Sequence, residues 1–267
     1  RPMPALSPPF GELRASAAQR ALLALIRIPP LYRGSLRPFW VKVMDALRRG
    51  PVDVESAYGR FRVYPTTNLV DSALLLHPAY NQEEIDFLKA GAGPGGTFVD
   101  IGANIGLYSV ALGNHLGPTG KVVSVEPNPV CVGRLRDNLA LNGLGHARVF
   151  PVGVGDFDGK ARLVVLRNDL AIAHIVRDDA GGDFAVRPLV SLLDEAGVAT
   201  IDALKIDVEG FERAALEPFF RSAPRSRWPR RICMEHLHDG DAMASILREC
   251  GYREVRATRN NSLMLLG

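Results

Sequence analysis

Cysteine is scarce. Cys131, Cys233 and Cys250 are the three in 267 residues, an odd number with no C-x-x-C pair, which excludes a disulfide framework and offers no zinc spacing. That usage suits a reducing compartment, and a cytoplasmic location is expected. A strong charge of one sign is also missing: 32 basic residues against 29 acidic leave +3, too little for nucleic acid to be the main partner. No apolar run approaches the roughly 20 residues of a membrane span. The most apolar N-terminal stretch, ALLALIRIPPLY, is broken by Arg27, Pro29 and Pro30, and without a small-residue cleavage site it predicts no secretory signal. Residues 12–27 read instead as an amphipathic helix that rests against the domain or on a membrane surface. Repeats and low-complexity tracts are absent too.

What is present is enough apolar material for a full core, at 47% of residues, which excludes a disordered chain. The first fifty residues carry helix-spaced apolar positions (Leu22, Leu23, Ile26; Val41, Val43, Met44, Leu47) around Pro29 and Pro30, which predicts two helices and a turn. VDVESAYGRFRVYP alternates on either side of Tyr58 and Gly59 and predicts a β-hairpin. NQEEIDFLKA predicts a helix capped by Asn81 and ended by Gly91. GAGPGG then forms a linker, placing a boundary between an N-terminal region, 1–94, and a second domain, 95–267.

From residue 97 strand and helix patterns alternate. TFVDI, KVVSVE, ARVFPVG, IDALKID and RRICME are separated by helices at 105–115, 129–142, 210–220 and 241–250, with an insertion at 157–190. Such alternation predicts βαβ units and a mainly parallel sheet covered on both faces. YREVRA and SLMLLG, joined by TRNN, predict a terminal antiparallel hairpin.

In such a sheet ligands lie at the carboxyl ends of the strands. The first strand ends in DIGANIG, where Asp100 can pair with a cation and Gly102 and Gly106 let backbone approach a ligand. Asn104 occupies the second glycine position of a G-x-G-x-x-G fingerprint, which disfavours a nicotinamide dinucleotide. The second strand ends in EPNP, where Glu126, followed by Asn128, can accept from ribose hydroxyls. The third ends in GVGD, where Asp156, after Gly155, can accept from an adenine amino group. Each acid alone is an ordinary turn residue or helix cap; the three in order spell S-adenosylmethionine.

VDIGANIG, SVEPNP, the GD-x-DG turn, LKIDVEGFE and ICMEH together resemble the FkbM-type class I S-adenosylmethionine-dependent methyltransferases, over residues 95–267 and more weakly from residue 51. The resemblance implies a Rossmann-like α/β sheet of seven strands and O-methylation of a hydroxyl on a sugar or secondary metabolite. It implies a cofactor site of Asp100, Gly102, Asn104, Gly106, Glu126, Asn128, Gly155, Asp156 and Asp207, with Asp207 and Glu209 facing the transferred methyl.

An acceptor hydroxyl must shed its proton to attack, which requires a positioned base or a metal. Glu235 and His236, ending the fifth strand, are candidates for base and orienter, with His238 a solvated neighbour. His174, in the apolar part of the insertion, reads as a packed structural histidine, or as the base if that hairpin overhangs the strand ends. A magnesium-like ion on Asp207, Glu209, Glu235 and His236 is a subsidiary reading without a spacing signature, and no metal is expected. Arg221, Arg225, Arg227, Arg230 and Arg231 read as a solvated loop, with an anionic acceptor group as the alternative. The segment carrying Asn68, Asp71 and Tyr80 reads as turn structure or as a wall of the acceptor pocket. A small-molecule or glycan acceptor is expected. A nicotinamide-dependent dehydrogenase and a non-catalytic nucleotide-binding module are the rival functions.

Overall fold

The structure, a computed structural model, describes residues 8–28, 36–47, 49–165, 173–208, 210–235 and 240–267. The N-terminal region contains α1 (Ala17–Ile26), α2 (Arg37–Leu47), a hairpin of β1 (Val52–Glu55) and β2 (Arg60–Val63), α3 (Leu69–Leu76) and α4 (Gln82–Lys89). Then follow β3 (Thr97–Ile101), α5 (Leu107–Leu116), β4 (Lys121–Val125), α6 (Pro129–Leu141), β5 (Arg148–Phe150), β6 (Gly153–Val154), β7 (Gly159–Val165), β8 (Ala173–Arg177) and β9 (Phe184–Arg187). The chain continues through α7 (Leu189–Glu195), β10 (Ala203–Ile206), α8 (Glu212–Ser222), β11 (Arg231–Glu235), α9 (Gly240–Glu249), β12 (Tyr252–Ala257) and β13 (Asn261–Leu266).

The main sheet has seven strands in the order β5-β4-β3-β10-β11-β13-β12. β3, β4, β5, β10 and β11 run parallel, and β13 pairs antiparallel with both β11 and β12. This is the doubly wound sheet with an antiparallel terminal hairpin that the alternating pattern predicts. Its central strands are buried on both faces and accordingly read as near-continuous apolar runs. Phe98, Val122, Ala203, Cys233 and Leu263 line one face and pack with residues of α4, α5 and α6; Val99, Val123, Leu204, Ile232 and Met264 line the other, under α7, α8 and α9.

Three local outcomes differ from the sequence expectation. ARVFPVG is two strands: Pro151, with no N–H to continue the ladder, separates β5 in the main sheet from β6 in a smaller sheet ordered β6-β9-β7-β8. α3 forms where turn structure is one expectation, and α7 forms mostly beyond the insertion, where no element is predicted. Asn81 does precede α4, but with φ +58° and no side-chain cap; its amide donates to the Tyr108 hydroxyl at 2.9 Å.

The N-terminal elements share one apolar cluster with the sheet, from Leu23 and Ile26 through Met44, Phe61 and Leu74 to Phe98. α1 starts in a capping box in which the Ser16 hydroxyl accepts from Gln19 N and the Gln19 amide oxygen accepts from Ser16 N. The Gln19 amide also donates to Met44 O on α2 at 2.9 Å. Leu25 and Ile28 face outward, about half exposed. No helix among the described residues is long and apolar enough to cross a membrane. The hairpin is anchored by Asp53, which pairs with Arg62 Nε at 2.8 Å and Nη2 at 3.2 Å and accepts from Gly11 N and Leu13 N, both side chains being at least 97% buried.

Removing one partner of a buried ion pair leaves an uncompensated charge. Arg62→Met should therefore lower stability by about 3–5 kcal/mol in chemical denaturation. Arg60→Met, at an exposed pair with Glu55, should cost about 1 kcal/mol or less.

Candidate active site

β3 ends in the turn 102–106, and its shape follows from three residues. Gly102 has φ +76°, and a Cβ there would lie 1.9 Å from the Asp207 carbonyl oxygen, so the end of β10 closes onto the turn because the residue is glycine. Asn104 has φ +52°, a left-handed conformation that asparagine tolerates better than most side chains. Gly106, φ +90°, begins α5 against Leu135, whose Cδ1 would lie 2.6 Å from an added Cβ. Gly102 N and Ala103 N both donate to Val125 O, at 2.9 and 3.1 Å, fastening the turn to β4.

Glu126 follows β4 and joins two turns. Its Oε2 accepts from Asn104 N and its Oε1 from Asn128 N, each at 2.9 Å, while Asn128 Oδ1 caps α6 by accepting from Val130 N. Burial pushes the Glu126 carboxyl above its usual range, opposed by those two backbone donors. Each carboxylate oxygen retains accepting capacity, so the group is preset for two neighbouring hydroxyls such as a ribose diol.

Below the turn a polar row crosses the sheet. Ser124, Asp100, Lys205 and Cys233 stand in register on β4, β3, β10 and β11. Asp100 is 1% exposed; Oδ2 accepts from Ser109 Oγ at 2.5 Å, and Oδ1 has no hydrogen-bond partner among the described residues. Burial raises its pKa to about 6, against the Ser109 hydrogen bond and the nearby Lys205 charge. Lys205 Nζ is buried 3.1 Å from Asp207 Oδ2 and donates to Ile206 O at 3.2 Å, with the Tyr108 ring 5.2 Å away. Burial opposes its charge, but Asp207, Cys233 and Asp100 outweigh this and hold the ammonium above its ordinary value. A buried carboxylate oxygen in need of a donor, a glycine-cleared turn and a pre-aimed Glu126 fit the amino and ribose groups of S-adenosylmethionine.

The structure thus gathers Asp100, Gly102, Asn104, Gly106, Glu126, Asn128 and Asp207 at the carboxyl ends of three adjacent strands. Asp207, 38% exposed, directly follows β10. Glu235 is the last residue of β11, in register with Asn261 of β13. Gly155 is buried and donates to Arg187 O, while Asp156 is exposed in the turn after β6. His174 lies on β8 opposite Val164 of β7, and its side chain lies outside the described residues, as do Glu209, His236 and His238. Among the described residues no group of three or more His, Cys, Asp or Glu is placed to hold a metal ion; Glu209 and His236 are not among them.

The arginine-rich loop does not face this site. It leads into the first residue of β11, at the opposite end of the parallel strands, and its side chains have local partners: Arg221 with Glu217, Arg227 with Asp194, Arg230 with Asp202, Arg231 with Phe87 O, and Arg225 over the Trp228 ring. Four contributors escape the strand-end reading. Lys205 and Ser109 support the site from below, Asn68 donates to Asn104 Oδ1 at 2.6 Å, and Asn138, fully buried, donates to Ile105 O at 2.8 Å while accepting from Arg62 N. The one signal available for Lys205 was a charged residue inside the apolar strand IDALKID.

The methyltransferase FkbM domain matches residues 100–254 of the chain. Methyltransferase sdnD of Sordaria araneosa is 30% identical over 152 residues, covering 45% of this chain and 58% of that protein, so the chain spans less than two thirds of that relative's length. The 31-O-demethyl-FK506 methyltransferase FkbM of Streptomyces tacrolimicus is 28% identical over 200 residues, covering 61% of this chain and 74% of that protein. Among solved structures, M. jannaschii TYW2 in complex with AdoMet aligns with a TM-score of 0.45 at 13% identity, over 82% of this chain and 84% of that chain.

An acid whose pKa is raised on folding binds its proton more readily folded than unfolded, so its contribution to stability declines as pH rises from 3.8 to about 6. Melting curves across that window should show Asp100→Asn gaining stability relative to the unmodified protein as pH rises. A constant difference would contradict the buried, proton-retaining Asp100.

Proposed function

The chain belongs to the FkbM methyltransferase family, with S-adenosylmethionine as cofactor, and on that footing we propose that it transfers the methyl group to a hydroxyl of a sugar or secondary-metabolite acceptor. The observation that carries this reading is the Glu126 carboxylate, held by Asn104 N and Asn128 N beside the glycine-cleared turn. A relative named for acting on 31-O-demethyl-FK506 supports oxygen as the atom methylated.

The cofactor supplies a methyl carbon on a cationic sulfur, open to in-line attack. Glu126 binds the ribose through the accepting capacity left on its two oxygens, Asp100 offers its Oδ1 to the amino end, and Gly102 and Gly106 admit the backbone-lined contact between them. Gly155 and Asp156 complete the adenine side. What remains is to orient an acceptor oxygen about 3 Å from the methyl carbon and receive its proton. Asp207 is the first choice for the receiving group: it is partly exposed, and its Oδ2 lies 3.1 Å from Lys205 Nζ. Glu209, Glu235, His236 and His174 are the other acid–base candidates. The region before residue 95 covers the acceptor side, with the segment of Asn68 and Tyr80 as its wall. A nicotinamide dehydrogenase is not favoured, since family and turn both point away from it.

Calorimetric titration tests the cofactor reading. S-adenosylmethionine and S-adenosylhomocysteine should bind in the micromolar range, NADH should not bind, and Glu126→Ala should weaken the first two at least about thirtyfold, the loss of two charge-assisted hydrogen bonds. Unchanged affinity in Glu126→Ala would remove the ribose role. For the proton acceptor, Asp207→Asn should reduce single-turnover methyl transfer about a hundredfold or more with cofactor affinity within a few-fold. A near-normal rate moves the role to His174→Ala and the remaining candidates, and full activity in excess chelator dismisses a metal.

A further inference from the structure

Asn68 lies outside the span matched by the family domain, 100–254, yet it makes the shortest side-chain contact described for the cofactor turn. It caps α3 through Oδ1, which accepts from Val70 N at 2.8 Å, and so has its amide free to donate at 2.6 Å to Asn104 Oδ1. That oxygen also faces the Cys131 thiol of α6 at 3.7 Å. Asn104 is the left-handed residue whose own N–H holds Glu126.

These bonds close into a ring. From Asn104 it runs through Glu126 to Asn128, the cap of α6; along α6 to Arg134; and from Arg134 Nη1 across 2.9 Å to Asp71 Oδ2 on α3, one turn beyond Asn68. Asp71 is fully buried, and the Arg134 guanidinium lies 4.1 Å over the Tyr64 ring, so α3 is clamped to α6 and the Asn68 amide is carried on a fixed element. Left-handed backbone at a non-glycine residue costs free energy and persists where its surroundings over-determine it; here α3 supplies part of that restraint.

We propose that Asn68 is a positioning residue for the cofactor, acting through Asn104 to aim the Glu126 carboxylate at the ribose, so that the N-terminal region sets cofactor affinity. This rests on the ribose role given to Glu126. The bland alternative, a helix cap and nothing more, makes a different prediction, because serine and threonine cap helices too but are too short to reach Asn104.

The test is calorimetric titration of the full chain with S-adenosylhomocysteine, with melting temperatures measured in parallel. Asn68→Ser should keep the melting temperature within a few degrees and weaken binding about fivefold or more, the effect of one lost hydrogen bond. In a Glu126→Gln background the same substitution should add little, because its effect runs through that carboxylate. Asn68→Thr carries the same expectation should the serine variant melt early. Wild-type affinity in a cap-preserving variant, an equal loss in both backgrounds, or early melting of both variants overturns the proposal and leaves the cofactor reading intact. No binding by the unmodified protein overturns the cofactor reading and this inference with it.

Discussion

The geometry of the site depends on one carboxylate that has no freedom left. Glu126 accepts one backbone N–H on each oxygen, from turns that end different strand–helix connections. A carboxylate on a flexible stem would lose side-chain entropy on meeting a diol; this one has lost it during folding. The same two bonds hold the carboxylate to both turns, so the group and the backbone around it are set by a single arrangement. Everything nearby is arranged to make that possible: Gly102 gives up a side chain so that β10 can close, and Asn104 accepts a left-handed backbone so that its N–H points at Glu126.

The polar row beneath is the second constraint. The core of a parallel sheet is an expensive place for charge. Asp100 and Lys205 nevertheless face each other there in adjacent strands, with Ser109 and Ser124 bonded alongside. The cost is tolerable because the carboxylates above and beside Lys205 share its charge, and because Asp100 can retain its proton more easily than a surface acid. The row is therefore electrostatically balanced, with the Asp207 and Glu126 carboxyl groups at the strand ends above it.

Strand and helix periods made the sheet, its hairpin and the helices on both faces legible, and the strand-end rule led to Asp100, Glu126 and Asp207, because these depend on local pattern and on where a parallel sheet places its loops. Asn138 and Ser109 were not legible, and Asn68 was legible only as turn structure or acceptor wall, not for its bond to Asn104. Asn68 meets a residue 36 positions away and Asn138 one 33 away, and no short-range spacing encodes such a bond. α3 was hidden for a related reason: LVDSALLL is apolar nearly all round, and burial on most sides leaves no stripe to read. The arginine loop reads first as solvated, and its partners are indeed local; it is the alternative, an anionic acceptor group, that the fold disfavours, since composition counts charges without saying at which end of the strands they lie.

The position of β13 has a consequence for synthesis. It lies between β11 and β12 although it follows both in sequence, and it pairs with each along most of its length. While the chain is being made, β11 and β12 emerge first and have no native contact with each other across that gap. The edge of β11, with its unpaired N–H and C=O groups, stays open until residues 261–266 are available to fill it. Completing the sheet is therefore a late event, and a nascent or truncated chain ending before residue 261 would carry an apolar strand edge capable of pairing with another chain.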